Sequence, residues 1–181
     1  GPHVDVVLLD LQMPGMSGIE LAREIRSDAH LSTLPMIMVT GFAELHGVDV
    51  DGPTVVRTID EFPVWAVAAT QAVDHSTVRD AAELRVKEVD RIALLAQELR
   101  RLGANIDEHQ DGFTVHGPTR LKGASVESHD DHRLGMALAV AGLVADEPTL
   151  IHDAACMADS FPGFVDTMAQ LGAAMEWVKP A

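Results

Sequence analysis

The clearest hydrophobic pattern lies between Asp80 and Gly103, which reads DAAELRVKEVDRIALLAQELRRLG. Ile92, Leu95, Ala96, Leu99 and Leu102 recur at spacings of three and four, so a helix would place them on one face. Gly103 follows the last apolar position and Arg100 and Arg101 occupy the last turn, both marks of a helix end. The front half predicts the helix start, with Arg85, Lys87 and Arg91 around Glu88. Lys87 and Arg91, four apart, become neighbours once helical, and a helix start adds unpaired N–H groups. Near the beginning, Val4 to Leu9 is a continuous apolar run closing on Asp10, the pattern of a strand buried on both faces of a parallel sheet. A loop with Pro14, Gly15, Ser17 and Gly18 follows, then helical spacing over Ile19 to Ile25. After Ser32 and Pro35, Met36 to Val39 reads as a second strand. This strand–helix–strand unit calls for parallel strands and a right-handed crossover.

From about His46 the pattern changes and then repeats. Segment 54–104 runs TVVR as a strand, IDEFPVWAVAATQA as a helix, STVRD as a strand, then the helix above. Segment 124–173 runs SVES, DHRLGMALAVAGLVA, TLIHD and a helix over Pro162 to Leu171 in the same order. DAA at 80–82 recurs at 153–155 and LGA at 102–104 recurs at 171–173, an internal repeat of roughly 70 residues. Asn105–His109 and Phe113–His116 flank Asp111-Gly112, a hairpin signal, and Met175–Val178 is expected to supply a second hairpin partner. The nearly all-apolar helix from Leu134 to Val144 should lie at the centre of the two copies.

Composition narrows the function. The net charge of −15 over 181 residues disfavours nucleic acid and anionic membrane surfaces. No apolar run approaches the ~20 residues of a spanning helix and no signal peptide opens the sequence, so a cytoplasmic location is expected. Cys156 is the only cysteine, which fits a reducing compartment and a small buried thiol. Gly1-Pro2-His3 reads as a remnant of tag removal. In so acidic a chain, cations gathered beside Glu88 suggest a site for a small anionic ligand; a solvated, salt-bridged helix entry is the alternative. His129, Asp130, Asp131 and His132 straddle a strand-to-helix junction, where helix capping or anion contact outweighs metal binding.

Two resemblances add chemistry. DLQMPGMSG and MVTG resemble the phosphoacceptor strand, loop and next strand of response-regulator receiver domains, over residues 4–43. This implies Asp10 as phosphoacceptor and Thr40 as switch hydroxyl. The receiver's acidic metal-binding pair and its lysine have no counterpart here, so the resemblance implies a disabled site. IDEFPVWAVAATQA, DAAELRVKEVDRI, DGFTVHGPTRL, SHDDHRLGMALAVAGL and SFPGF resemble, in order, the carboxyl-terminal part of 3-phosphoshikimate 1-carboxyvinyltransferases, the enolpyruvyl-shikimate-phosphate synthases, over about residues 46–175. Members add the enolpyruvyl group of phosphoenolpyruvate to the 5-hydroxyl of shikimate 3-phosphate. The resemblance implies Asp60 near that hydroxyl, Glu88 in proton transfer, Lys87 on substrate, Arg91 and Arg133 on phosphoenolpyruvate, and His132 beside them. The family's KES or KET is Lys87-Glu88-Val89 here, which removes a hydroxyl suited to cap the following helix. Its SHGDHR carries Asp130 in place of glycine.

The expected fold class is α/β: a β-α-β receiver-like unit plus two β-α-β-α-β-β synthase-like repeats packed into one body, with boundaries 4–43 and 46–181, the latter split at about 118. The resemblances together imply a folded chimera without turnover, needing no cofactor and no metal. It would have a possible small anionic ligand (phosphate or phosphoenolpyruvate), no nucleic acid or membrane partner, and self-association into a homo-oligomer. An active or partner-completed synthase of aromatic amino acid biosynthesis is one alternative. A phosphorylation-responsive module acting through Asp10 is the other.

Overall fold

Val7–Asp10 (β1), Gly18–Ser27 (α1) and Met36–Val39 (β2) belong to the first of two units, Gly1–Glu44 and Leu45–Ala181. The computed structural model describes residues 7–10, 18–28, 36–39 and 45–178. β1 and β2 pair in parallel, Val7 opposite Met36 and Asp10 opposite Val39, as a strand–helix–strand connection requires. They form a two-stranded sheet. Asp10 closes β1; Thr40 lies outside the described residues.

In the second unit, Asp49–Val50 (β3), Gly52–Thr58 (α2), a 3₁₀ turn at Ile59–Glu61, Phe62–Ala69 (α3) and Asp74–Val78 (β4) come first. A 3₁₀ turn at Ala82–Val86, Arg91–Arg101 (α4) and the hairpin Asn105–His109 (β5) with Gly112–Gly117 (β6) complete the first repeat. The sheet order is β3-β4-β6-β5; β3 and β4 are parallel and β6 runs antiparallel to both its neighbours. The second repeat has Ser125–Glu127 (β7), His132–Val144 (α5), Leu150–His152 (β8), a 3₁₀ turn at Ala154–Asp159 and Phe164–Gln170 (α6). β7 and β8 pair in parallel with the register of β3 and β4: Val126 opposite Ile151 answers Val50 opposite Val78.

The echoed tripeptides are backbone devices. Asp80 and Asp153 both hold left-handed conformations, φ 59° and 54°, at the exit of their strands, and aspartate is among the few side chains that tolerate this. Gly103 and Gly172, φ 87° and 96°, end α4 and α6 in the same way. After α4, Ala104 N donates to Leu99 O and Gly103 N to Arg100 O; after α6, Ala173 N donates to Met168 O and Gly172 N to Ala169 O. Both are Schellman closures, which need a residue free of Cβ strain at the glycine.

The stripe on α4 is buried as its spacing predicts: Ile92, Leu95, Ala96, Leu99 and Leu102 join Val78, Phe113, Val115 and Ile106 of the sheet in one core. α3 and α5, equivalent helices of the two repeats, pack side by side, and Leu134, Ala137, Leu138 and Ala141 bring α5 into the same core.

Three expectations fail locally. TVVR at 54–57 is helical, because Pro53 pre-sets the first turn of α2 and Val55 enters the core while Val56 stays 71% exposed; β3 takes the strand position instead. The helix expected to begin around Glu88 starts at Arg91, with Asp90 as its cap: Asp90 Oδ1 accepts from Ala93 N at 3.0 Å. The cap is thus not at Val89, and Lys87 precedes the helix. Met175–Val178 forms no strand. In the first repeat β5 reaches the sheet only through β6, and among the described residues no strand holds that place beside β8.

Leu99→Ala should lower the unfolding free energy by about 3 kcal/mol, the cost of a cavity in a closed core, and Val56→Ala should change it by less than about 0.5 kcal/mol. Urea denaturation followed by circular dichroism measures both; equal losses would contradict the helical orientation of α2.

Candidate functional site

Three chain segments converge at the amino-terminal ends of α4 and α5. The 3₁₀ turn at 59–61 brings Asp60 and Glu61, the stretch from 83 to 91 brings Glu83, Lys87, Glu88 and Arg91, and the start of α5 brings Asp131, His132 and Arg133. Arg91 is the hub. Its side chain is 1% exposed, and each edge of the guanidinium meets a different carboxylate: Nε donates to Asp131 Oδ2 at 2.7 Å, Nη1 to Asp60 Oδ1 at 3.0 Å and Nη2 to Glu88 Oε2 at 2.6 Å. A planar fork of five donors suits this arrangement, and lysine could not reproduce it.

Asp131 is 0% exposed and works twice. While Oδ2 takes Arg91, Oδ1 accepts from the backbone N–H of Arg133 at 2.9 Å and of Leu134 at 3.0 Å, capping α5. The capping expected somewhere in 129–132 falls to this residue. Arg133 leaves the helix toward the 59–61 turn, donating from Nη1 to Asp60 O and to Glu61 Oε1, both at 3.2 Å, with Nη2 3.8 Å from Asp60 Oδ2. Lys87 Nζ lies 2.8 Å from Glu83 Oε1 and 3.6 Å from Asp60 Oδ1. His132 is half-buried at the first position of α5.

Of the site residues expected from the sequence, Asp60, Lys87, Glu88, Arg91 and Arg133 come together, with Asp60 at the centre of the cations, and His132 stands next to Arg133 at the start of α5. Arg85 does not join them. It binds Asp90 Oδ2 at 2.8 Å, Glu108 Oε1 at 2.9 Å and Gln110 O at 2.7 Å, tying the 82–86 turn to the hairpin. Burial pushes the Asp60 carboxyl up, but the charges of Arg133, Lys87 and Arg91 outweigh it and hold the group below the ordinary carboxylate range. The hydrogen bond to Glu83, ahead of opposing burial, raises Lys87. Arg91 is also raised, its carboxylate partners overcoming burial. All three are charged at neutral pH. Arg91 is sealed, so the cations open to a ligand are Lys87 and Arg133. Among the described residues no group of three or more His, Cys, Asp or Glu could hold a metal ion, and no helix is long and apolar enough to cross a membrane.

A second buried carboxylate supports the site from behind. Glu98, 0% exposed, accepts from His129 Nε2 at 2.9 Å and Gln97 Nε2 at 2.8 Å on Oε1, and from Arg101 Nη1 at 2.9 Å and Glu127 N at 3.2 Å on Oε2. α4 thus grips the 127–131 loop twice, through Arg91 and through Glu98. Sequence reading missed the Arg91–Asp131 pair and Glu98, though one signal could have found them. Arg91 and Glu98 fall at the spacing of Leu95 and Leu102, and a charge on a core-facing stripe needs a buried partner.

Comparison with known proteins assigns a family. A family model described as EPSP synthase (3-phosphoshikimate 1-carboxyvinyltransferase) matches residues 19–168. The 3-phosphoshikimate 1-carboxyvinyltransferase of Gloeobacter violaceus is 52% identical over 129 residues, 71% of this chain and 30% of that protein. That of Desulforamulus reducens is 48% identical over the same share of each. The structure of EPSP synthase from Acinetobacter baumannii superposes with a TM-score of 0.73 at 34% identity, covering 76% of this chain and 33% of that one. The chain spans about a third of the length of these relatives. The receiver resemblance of residues 4–43 gains no support, and the family match begins inside that segment, at residue 19.

Arg91→Ala leaves Asp131 buried without its partner and should cost about 3–5 kcal/mol of stability, against less than about 1 kcal/mol for the more exposed Arg133→Ala. Chemical denaturation distinguishes them. Glu98 supplies a pH signature. Burial pushes its carboxyl up, but the hydrogen bonds from His129, Gln97 and Glu127 N prevail and lower it. Its stabilisation is complete above the unfolded value and is lost as pH falls through the lower folded value, so the acid limb of stability below about pH 4 should flatten in Glu98→Gln. A melting-temperature series from neutral to acid pH checks this.

Proposed function

The chain belongs to the EPSP synthase (3-phosphoshikimate 1-carboxyvinyltransferase) family, and we propose that its second unit supplies one wall of an enolpyruvyl-transfer site. Further groups come from sequence outside these 181 residues or from another chain. The observation that carries this reading is the position of Asp60 within 3.6 Å of Lys87, 3.0 Å of Arg91 and 3.8 Å of Arg133. Transfer from phosphoenolpyruvate to a sugar-like hydroxyl needs an acceptor for the hydroxyl proton, a donor to the enol methylene carbon, and cations for the carboxylate and the departing phosphate. Asp60 is the acceptor beside the hydroxyl. Glu88, held by Arg91, is the proton-transfer carboxylate. Arg133 and Lys87 hold the anionic groups, and Arg91 fixes Asp60, Glu88 and Asp131 in one frame. His132 stands beside the reacting groups. The hydroxyl oxygen bonds to the enol carbon that bears the phosphate as its proton passes to Asp60, and a proton adds to the methylene to make a methyl group; departure of phosphate with return of a methyl proton to the proton-transfer carboxylate restores the double bond.

A second reading is a folded recombinant without turnover, joining a receiver-like piece to this wall. The parallel β1–β2 pair with Asp10 at the carboxyl end of β1 favours it, since that is where such sheets place ligand chemistry. Acetyl phosphate with Mg²⁺ followed by intact-mass measurement tests the phosphorylation-responsive alternative: an aspartyl phosphate on Asp10 supports it, and an unchanged mass, as a disabled site implies, removes it.

For the first reading, titration calorimetry should detect binding of inorganic phosphate and phosphoenolpyruvate. Arg133→Ala and Lys87→Ala should each weaken it about tenfold, as expected for loss of a charge-assisted hydrogen bond. Phosphate release from phosphoenolpyruvate and shikimate 3-phosphate should then appear when the remainder of a relative's chain is supplied. Absence of any anion binding would sink the reading.

A further inference from the structure

The cations open to a ligand are not free in this structure, because the protein's own carboxylates occupy them. Arg133 meets Glu61 and Asp60, Lys87 meets Glu83 and Asp60, and Arg91 meets Asp131, Glu88 and Asp60. Among the described residues Asp60 is the one carboxylate that reaches all three. It is also displaceable: it sits on a short 3₁₀ turn, 41% exposed, whereas Asp131 is sealed within the fold.

We infer that Asp60 is an internal competitor for the oxyanion that Lys87 and Arg133 would bind, so that anion binding and protonation of Asp60 promote one another. The inference rests on the anion-site reading above and deepens it. A tetrahedral oxyanion that takes hydrogen bonds from Arg133 and Lys87 draws their positive charges, now 3.8 and 3.6 Å from the Asp60 carboxylate, away from it and places a like charge beside it. Both changes raise the proton affinity of the carboxylate. The reverse follows by linkage: a neutral Asp60 releases the two cations and the anion binds more tightly. The other charges around Asp60 set the background without supplying the coupling. Glu61, Glu83 and Glu88 each hold one cation, Asp131 holds Arg91, and His132 opens α5 beside Arg133.

The functional consequence is an order of events. With the three cations on it, Asp60 is held below the ordinary range and accepts a proton poorly. Once an oxyanion has displaced it, its basicity rises toward what a hydroxyl proton requires. The acceptor is thus switched on by the group that must be in place before transfer.

Inorganic sulfate, a dianion throughout the relevant pH range, is the probe for the whole 181-residue protein. Carbon NMR of the Asp60 carboxyl should show its midpoint rising by about one pH unit in saturating sulfate, equivalent to about a tenfold coupling. Sulfate affinity should fall as pH rises through that midpoint and level off above it. At neutral pH, Asp60→Asn should bind sulfate about tenfold more tightly than wild type, whereas Asp60→Glu, which keeps the charge, should not. If sulfate binds and the Asp60 midpoint stays where it was, or if Asp60→Asn binds no more tightly, the coupling is overturned while the anion site stands. If neither wild type nor Asp60→Asn binds sulfate, both readings fall.

Discussion

Arg91 and Asp131 are sealed from solvent and 2.7 Å apart, and each performs a second task. Arg91 opens α4 and spreads its remaining donors over Asp60 and Glu88; Asp131 caps α5 with its other oxygen. One buried ion pair therefore ties together the starts of two helices from different repeats, one capped by Asp131 and the other by Asp90. Such a pair is a poor source of stability by itself, because desolvation of both ions consumes most of the Coulomb attraction. Its value here is positional. Removing Arg91 would leave the Asp131 carboxylate buried without its cation, which holds the arrangement in place.

The repeat shows how little identity a shared architecture needs. Side chains of the two copies differ almost everywhere, yet the copies agree at two pairs of positions where the backbone leaves the common conformations. Asp80 and Asp153 turn out of their strands through left-handed geometry, and Gly103 and Gly172 close their helices. These are positions at which most residues would be strained. Aliphatic positions can be exchanged with repacking, whereas these tolerate few substitutes, so they are the last visible trace of the duplication.

Much of the architecture was legible in the sequence. The α4 stripe, the hairpin, the parallel strand pairs and the α5 span all follow from periodicity and turn chemistry. What periodicity could not convey were competitions decided by tertiary contacts. TVVR has the β-branched composition of a strand, but Pro53 and the burial of Val55 alone made it a helix. Met175–Val178 has a strand's pattern without the intervening partner that β5 finds in β6. At the site, the family resemblance identified the cations and Asp60, and the structure brought them together. It gave no hint that Arg91 would be fully enclosed by three carboxylates, or that Glu98 would anchor His129, since both depend on which loops meet the core face of α4.

The loop that carries Asp131 holds His129 and Asp130 at φ 55° and 59°. The family pattern has glycine where this chain has Asp130, and the angle explains why that glycine suits the position. Aspartate is one of the few replacements that can follow the same path. The exchange therefore alters the electrostatic landscape of the loop while leaving its trajectory alone.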